Sequence, residues 1–231
     1  MHHHPTTCND SSLKTLKVTV ENVAPPKGNV LSQIWFGFHD GSFITYSLGS
    51  PASSALERLA EDGNSGPLTN DFCRSGAGIV QGTLFGSDDI LNSTFPGSTT
   101  SLKVVLDGSL PSSRYFSYAA MVIPSNDAFI ANEDPIAHQI FDDEGNFIGA
   151  EFIVLGNEVL DAGTEVNDEA PLHAAGAGPV FIFAAGVAEN GVVHTHEGYK
   201  PGGTILSNPI WTNANFKVGG YRLARITVSE A

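Results

Sequence analysis

Hydrophobic and polar residues alternate in many short stretches of this chain, and the alternation predicts β-strands. It is clearest in LKVTVEN at residues 16–22 and in YRLARITV at residues 221–228, where apolar side chains recur at every second position. A period of two residues is that of a strand with one buried face. Further strands are predicted at residues 29–38, 101–107, 114–123, 137–141, 146–155 and 178–186. Many short strands separated by turn residues predict an all-β fold, an antiparallel β-sandwich.

Helical signals are brief and predict one or two short helices in loops. In SSALERLAEDGN, Ser54 and Glu57 have the spacing of a capping box, and Gly63 marks the helix end. In SNPIWTNANF, Asn208 is a candidate N-cap and Pro209 a candidate first helical residue.

One domain is the simplest organisation. The chain has 231 residues, of which 41% are hydrophobic, and no linker divides it. Residues 1–15, which open with MHHHPTT, are interpreted as a tag-like or flexible arm, and residues 16–231 as a single domain. The two terminal strands resemble each other and are predicted to lie side by side. DDEGN at residues 142–146 has the composition of a tight hairpin turn.

Cys8 and Cys73 are the two cysteines of the chain. In an exported protein, a disulfide that ties the N-terminal arm to a loop is expected of such a pair. Two unrelated thiols are the other interpretation, and the sequence does not decide between them.

The charge balance limits the classes of partner. The formal net charge is −14, with only 11 Lys and Arg residues. Without a basic stripe, nucleic acid and anionic lipid surfaces are not expected partners. No apolar run approaches the roughly 18 residues of a membrane span. An acidic chain suits divalent cations or a salty medium, although solubility alone is a further explanation.

Acidic residues crowd one segment, residues 158–169. It contains Glu158, Asp161, Glu165, Asp168 and Glu169, with no Lys or Arg among them. Like charges this close raise each other's pKa and lower stability unless positive charge is near. Water and salt, an Arg from elsewhere, or a metal ion would relieve the repulsion.

Calcium fits this segment best. Ca²⁺ takes six to eight oxygen ligands at flexible distances. Asp161 and Glu165 are four residues apart, and Gly163 between them lets the chain curl. The EF-hand order of ligands is absent, so the site is predicted to combine two loops. Asp127 follows a strand that ends at Pro124 and supplies the third carboxylate.

Histidines offer two alternatives. His194 and His196 are two residues apart, on one face if the segment is extended, which is the minimum for a transition-metal site. His39 and His173 are further candidates for that site. His39, beside an Asp, is also a candidate base for a hydrolytic enzyme, but a nucleophile elbow and an H-E-x-x-H motif are absent.

The motifs together resemble a known family. MVIPSNDAFI and VLDAGTEVNDE, with IWFGFHDGSF, ALERLAEDGN and RYFSYAAMVI before them, are similar to the spondin N-terminal domain, above all to bacterial secreted proteins that consist of this domain alone. The resemblance covers residues 16–228. It implies a β-sandwich related to C2 domains, with one calcium ion at a loop end.

The resemblance also implies ligands. SNDA places Asp127 in the role of the Asp in the animal SPDW motif, and DAGTE places Asp161 and Glu165 in the roles of the two acids of DAGTD. Ala128 stands where the animal motif has Trp, and Glu165 replaces an Asp. Asn126, Asn167 and Asp168 are neighbours that could add a ligand.

The function expected from these observations is that of a non-enzymatic, secreted, calcium-binding module in adhesion, matrix or surface assembly. Its partner is expected to be a protein or glycan at the cell surface, or another copy of the chain. The alternative is a copper- or zinc-binding protein that uses His194 and His196. A hydrolytic enzyme has the least support in the sequence.

Overall fold

The computed structural model describes residues 12–87, 92–178 and 184–231. Within these ranges the chain forms eleven β-strands: β1 (Leu13–Asn22), β2 (Val30–Leu31), β3 (Ile34–His39), β4 (Val80–Leu84), β5 (Thr99–Asp107), β6 (Tyr115–Ile123), β7 (Ala128–Ala131), β8 (Ala150–Leu155), β9 (Leu160–Asp161), β10 (His194–Thr195) and β11 (Arg222–Glu230). The helices are α1 (Ser54–Asp62), α2 (Gly66–Ser75) and α3 (Thr204–Ser207), and two 3-10 turns cover Pro111–Ser113 and Gly156–Glu158. All strand pairs are antiparallel, which confirms the predicted all-β sandwich.

The smaller sheet has the order β5-β1-β11-β8 and contains both terminal strands. β1 and β11 pair directly, with Leu16 opposite Glu230 and Val18 opposite Val228. Alternate side chains of both strands are buried, so this sheet has one face in the core and one in solvent. The prediction that the terminal strands are neighbours is confirmed.

The larger sheet has the order β10-β9-β7-β6-β3-β4, with β2 paired to β6. Its strand β3 is buried at every position because both faces of the sheet are covered. Phe36 and Phe38 face the core between the sheets. Trp35 faces the other way, toward α1 and α2, and packs against Phe72 of α2 with ring centroids 5.4 Å apart.

Four local predictions were wrong or only partly right. Residues 137–141 form only isolated bridges, and the strand predicted at 146–155 is limited to β8. The N-cap of α1 is Ser53, whose side chain accepts from the Leu56 N–H, while Ser54 is the first helical residue. Asn208 is the C-cap of α3 and not the N-cap of a later helix.

Two further local predictions were confirmed, and others concern residues outside the described ranges. The helix end at Gly63 is confirmed, with Gly63 in a left-handed conformation at φ 65°. Residues 142–146 form the predicted tight turn, closed by a hydrogen bond from the Asp142 N–H to the Asn146 carbonyl. Residues 179–183 of the strand predicted at 178–186 lie outside the described residues, as does Cys8. Helix α2 was not predicted, and no helix in the described ranges is long and apolar enough to cross a membrane.

Candidate metal centre

Strand pairing brings the two predicted ligand loops together. Ala128, the first residue of β7, is the register partner of Asp161, the last residue of β9. Asp127 immediately precedes β7, and its backbone carbonyl accepts the Ala162 N–H at 3.2 Å. Asp127 and Asp161 are therefore neighbours, as the sequence analysis predicted.

Asp127 is fully buried, and only one of its two carboxylate oxygens is hydrogen-bonded within the described residues. Its Oδ2 accepts three hydrogen bonds, from the Thr164 N–H at 2.8 Å, the Thr164 hydroxyl at 3.1 Å and the Glu165 N–H at 3.1 Å. Its Oδ1 has no hydrogen-bond partner among the described residues. The pKa of the Asp127 carboxyl is raised to about 6, mainly by burial and also by the negative charge of Asp161, while the three hydrogen bonds oppose the rise.

Asp161 holds the turn that follows β9. Its Oδ1 accepts the Gly163 N–H at 2.8 Å, and its Oδ2 accepts from the Asn167 side-chain amide at 2.5 Å. Gly163 has a φ of 67°, and a Cβ there would meet the Val192 backbone nitrogen at 2.6 Å. Glycine is thus required at this turn, which agrees with the role inferred for it from the sequence.

Glu165 is 4% exposed and accepts a short hydrogen bond from the Gly186 N–H through Oε1. Burial raises the pKa of this carboxyl to about 7, and negative charge on Glu61 and Asp127 adds to the rise. Glu61, on α1, is a fourth acid at this centre, and burial raises its pKa too. No sequence pattern pointed to Glu61, because helical periodicity does not reveal which loop a helix faces.

The carboxylates of Asp127, Asp161 and Glu165 lie near one another but do not point toward a common position for an ion. Within residues 12–87, 92–178 and 184–231, no group of three or more His, Cys, Asp or Glu side chains is placed to hold a metal ion. Asp161 and Glu165 are turned toward N–H groups of the loops around them. Their side chains would have to rotate to share one ion with Asp127.

Backbone N–H groups offset part of the repulsion among the acidic residues of segment 158–169. Glu158 accepts from the Leu155 N–H at 2.6 Å, and Asp168 from the Ala170 N–H at 2.8 Å. Glu169, which is 3% exposed, accepts from the backbone N–H groups of Lys200 at 2.5 Å and Ile205 at 3.2 Å. Hydrogen bonds of this kind favour the charged carboxylate, so the segment relieves part of its own repulsion.

The neighbouring polar residues act as hydrogen-bond donors to these acids. The Asn126 side-chain amide donates to Asp168 at 3.2 Å, and Asn167 donates to Asp161. His173 Nδ1 lies 2.8 Å from Asp168. Asn126 and Asn167 also line a cavity of about 510 Å³ beside the centre.

His194 and His196 border the same cavity but differ in their surroundings. The His194 side chain is 45% exposed, with Nδ1 3.6 Å from Asp161 Oδ1. His196 is 2% exposed, and burial lowers its pKa to about 4. Its Nδ1 accepts the Gly198 N–H at 2.9 Å, so the ring proton of neutral His196 lies on Nε2. Metal ligation through Nε2 therefore requires the other tautomer.

His39 is enclosed within β3 and is fully buried. Its Nδ1 accepts the Gly41 N–H at 3.0 Å, which leaves Nε2 to donate to the Ser117 hydroxyl at 2.9 Å. Burial lowers the pKa of His39 to about 4. This environment is that of a structural histidine in a sheet.

Comparison of the chain with models of known protein families gave no match. Comparison with curated proteins gave no match either. The similarity to the spondin N-terminal domain accordingly stays a prediction from the motifs.

Proposed function

We propose that this protein is a non-enzymatic module of the spondin N-terminal type that binds one Ca²⁺ ion through Asp127, Asp161 and Glu165. The observation that supports the site most directly is Asp127 Oδ1, a buried carboxylate oxygen without a hydrogen-bond partner among the described residues. A buried acceptor of this kind is costly unless a donor or a cation meets it.

Calcium suits the donor set. The centre offers carboxylate, amide and backbone carbonyl oxygens, and Ca²⁺ accepts such ligands in irregular geometry. Asp127 and Glu165 have raised pKa values because burial disfavours their charged forms. A bound divalent cation would favour those charged forms, so ion binding and loss of the two protons are expected to be coupled.

The extracellular role is proposed from the resemblance. The animal members belong to matrix proteins, which favours adhesion, matrix or surface assembly with a protein, glycan or identical partner. Ala128, which replaces the Trp of the animal motif, is fully buried, and so is Phe129. Neither residue presents an aromatic surface to a membrane, so the proposal is limited to soluble or surface-bound partners.

The test is thermal unfolding after removal of metal ions, with Ca²⁺, Mg²⁺, Zn²⁺ or Cu²⁺ then added. At a Ca²⁺ concentration of about 100 times Kd, the melting temperature should rise by about 5–10 °C. Asp127→Asn should abolish the rise. Glu144→Gln, which removes the same charge from an exposed position in the 142–146 turn, should retain it.

The same titration tests the alternative. A rise with Cu²⁺ or Zn²⁺ alone that is lost in His194→Ala would replace the calcium proposal with the transition-metal one. Absence of any calcium response in the wild-type protein would refute the site. Native mass spectrometry should in turn count a single Ca²⁺ ion on the folded chain.

A further inference from the structure

The cavity of about 510 Å³ beside the candidate metal centre is lined by none of the three proposed calcium ligands. The buried residues of its wall include Asn126, Glu169, His196 and Tyr199. The exposed residues, which mark its opening, include Glu189, Glu197 and Lys200. A volume of this size accommodates a small organic molecule.

One buried polar atom of this wall has no partner. Among the buried side-chain atoms of the described residues that lack a hydrogen bond, Nε2 of His196 is the only one that belongs to a residue lining this cavity. Nδ1 of the ring accepts the Gly198 N–H at 2.9 Å, so Nε2 carries the proton of the neutral imidazole. A buried N–H without an acceptor is costly, which points to a ligand that supplies an oxygen atom there.

The surroundings of His196 fix its ring and leave no competing group at the buried end. Tyr199 and Phe216 pack edge-on against the imidazole, with ring centroids 6.1 Å and 5.2 Å from it. The Tyr199 hydroxyl donates to the Pro124 carbonyl at 2.5 Å, and the Asn126 amide donates to Asp168 at 3.2 Å. The His196 N–H is therefore the buried donor that a ligand in this cavity would satisfy.

The charges of the lining select a neutral ligand. An anion would be repelled by the carboxylates of Glu169, Glu189 and Glu197, because Lys200 is the only Lys or Arg among the described residues of the wall. A cation would be opposed at the buried end by the His196 N–H, which presents the positive end of its dipole. A hydroxyl group fits both ends, since its oxygen accepts from an N–H and its proton is donated to a carboxylate.

Apolar carbon atoms complete the wall. Val166, Tyr199 and Ile205 line the cavity together with the polar groups. A sugar ring carries hydroxyl groups at its edge and C–H groups on its faces, so it matches a lining of this mixed character.

We propose that this cavity binds a neutral monosaccharide unit of a glycan. One oxygen atom of the sugar would accept the Nε2 proton of His196, and other hydroxyl groups would donate to Glu189 and Glu197 at the opening. The inference rests on the proposed adhesion role, for which it names the class of partner, but it uses none of the proposed calcium ligands. Sugar binding measured with and without Ca²⁺ therefore distinguishes failure of one proposal from failure of the other.

The test is a titration with the methyl glycosides of glucose, galactose, mannose and N-acetylglucosamine, followed by ligand-observed NMR and by the ring nitrogen signals of the histidines. Saturable millimolar binding of at least one glycoside is expected, equally with and without Ca²⁺, and the Nε2 signal of His196 should shift. His196→Phe keeps an aromatic ring but removes the N–H, so it should weaken binding about fivefold. Glu189→Gln and Glu197→Gln, at exposed positions, should each weaken it about twofold and do not depend on the fold tolerating the His196 change.

Charged sugars and a distant variant are the controls. Methyl glucuronide carries a carboxylate and glucosamine an ammonium group on a similar ring, so both should bind more weakly than the neutral glycoside. Glu144→Gln, at an exposed residue that does not line the cavity, should leave binding unchanged.

Four results would each overturn the proposal. They are tighter binding of a charged sugar, no saturation with any neutral glycoside, indifference to the His196, Glu189 and Glu197 variants, and binding that appears only with Ca²⁺. The second would mean that the cavity holds water alone, and the last that the sugar coordinates the ion. A calcium-dependent rise in melting temperature without sugar binding would refute this inference and leave the metal site standing.

Discussion

The backbone N–H of Glu165 donates to Oδ2 of Asp127 at 3.1 Å, although the two residues are 38 positions apart. Together with the two hydrogen bonds from Thr164, this contact closes the acidic loop around one carboxylate. Asp127 is thus a structural anchor through Oδ2 and a candidate ligand through Oδ1. Both roles bear on how the stability of the metal-free protein is expected to depend on pH.

Metal-free protein should become less stable as pH rises from about 4 to about 8. The folded-state pKa values of Asp127, about 6, and Glu165, about 7, lie above the ordinary values of 3.8 and 4.5. Stability from such groups is fully present below the ordinary pKa and is lost as pH rises through the folded one. Each group contributes on the order of 3 kcal/mol. Urea unfolding of metal-free protein across this range measures the loss.

Asp127→Asn should remove about half of this pH dependence, because Glu165 still titrates, and Glu144→Gln should leave it unchanged. Saturating Ca²⁺ should flatten it, because the ion favours both charged carboxylates. A metal-free protein that is equally stable at both ends of the range would show that Asp127 and Glu165 titrate near their ordinary values.

Glu169→Ala should lower the free energy of unfolding by about 1–3 kcal/mol. The buried carboxylate accepts from the N–H groups of Lys200 and Ile205, and removal leaves both donors without it. Glu169→Gln keeps one acceptor oxygen and should cost less. Denaturant titration ranks the two variants, and an alanine variant as stable as the wild type would mean that water replaces the carboxylate.

Ser53→Ala should destabilise the protein by about 1 kcal/mol, because it removes the side-chain N-cap of α1. Ser54→Ala is the matched control, since Ser54 is exposed and alanine suits a first-turn position. Thermal unfolding of the pair distinguishes the two positions. A larger loss of stability in Ser54→Ala would show that Ser54 is the N-cap, as the sequence pattern predicted.

Gly37→Ala should destabilise the protein by about 1–3 kcal/mol through overpacking. A Cβ at residue 37 would lie 2.8 Å from Phe72 and 2.9 Å from Trp35, between β3 and α2. Gly219→Ala is the control, because nothing lies within 4 Å of a Cβ there. Comparable melting temperatures for the two variants would indicate that α2 shifts to make room.

The fold was predictable where one face of a strand is exposed. Alternation located β1 and β11, and the similarity of the two stretches predicted their adjacency. It failed at residues 137–141, where apolar side chains pack without a strand ladder, and it could not explain β3, whose two faces are both buried. Helix α2 was missed because it covers the larger sheet through only two buried side chains, Leu68 and Phe72.

The sequence predicted which residues of the candidate site lie near one another, but not how their side chains are oriented and hydrogen-bonded. Motif spacing brought Asp127, Asp161 and Glu165 to one place, because β7 and β9 pair. It could not reveal that backbone N–H groups satisfy much of the acidic segment, or that Gly198 fixes the tautomer of His196. Those contacts depend on the orientation of backbone N–H groups within the loops, which hydrophobic patterning does not encode, and Glu61 enters the site only through the packing of α1.

The pairing of β1 with β11 has a mechanical consequence. The first residue of β1 and the last residue of β11 lie at the same end of the ladder, since Leu16 is opposite Glu230 and the Ala231 N–H donates to the Thr15 carbonyl at 3.0 Å. In an antiparallel pair the hydrogen bonds run across the strands. A pulling force applied to Leu13 and Glu230 therefore acts along those bonds and breaks them one after another. Tension between these two points therefore separates β1 from β11 one hydrogen bond at a time, beginning at this end of the ladder.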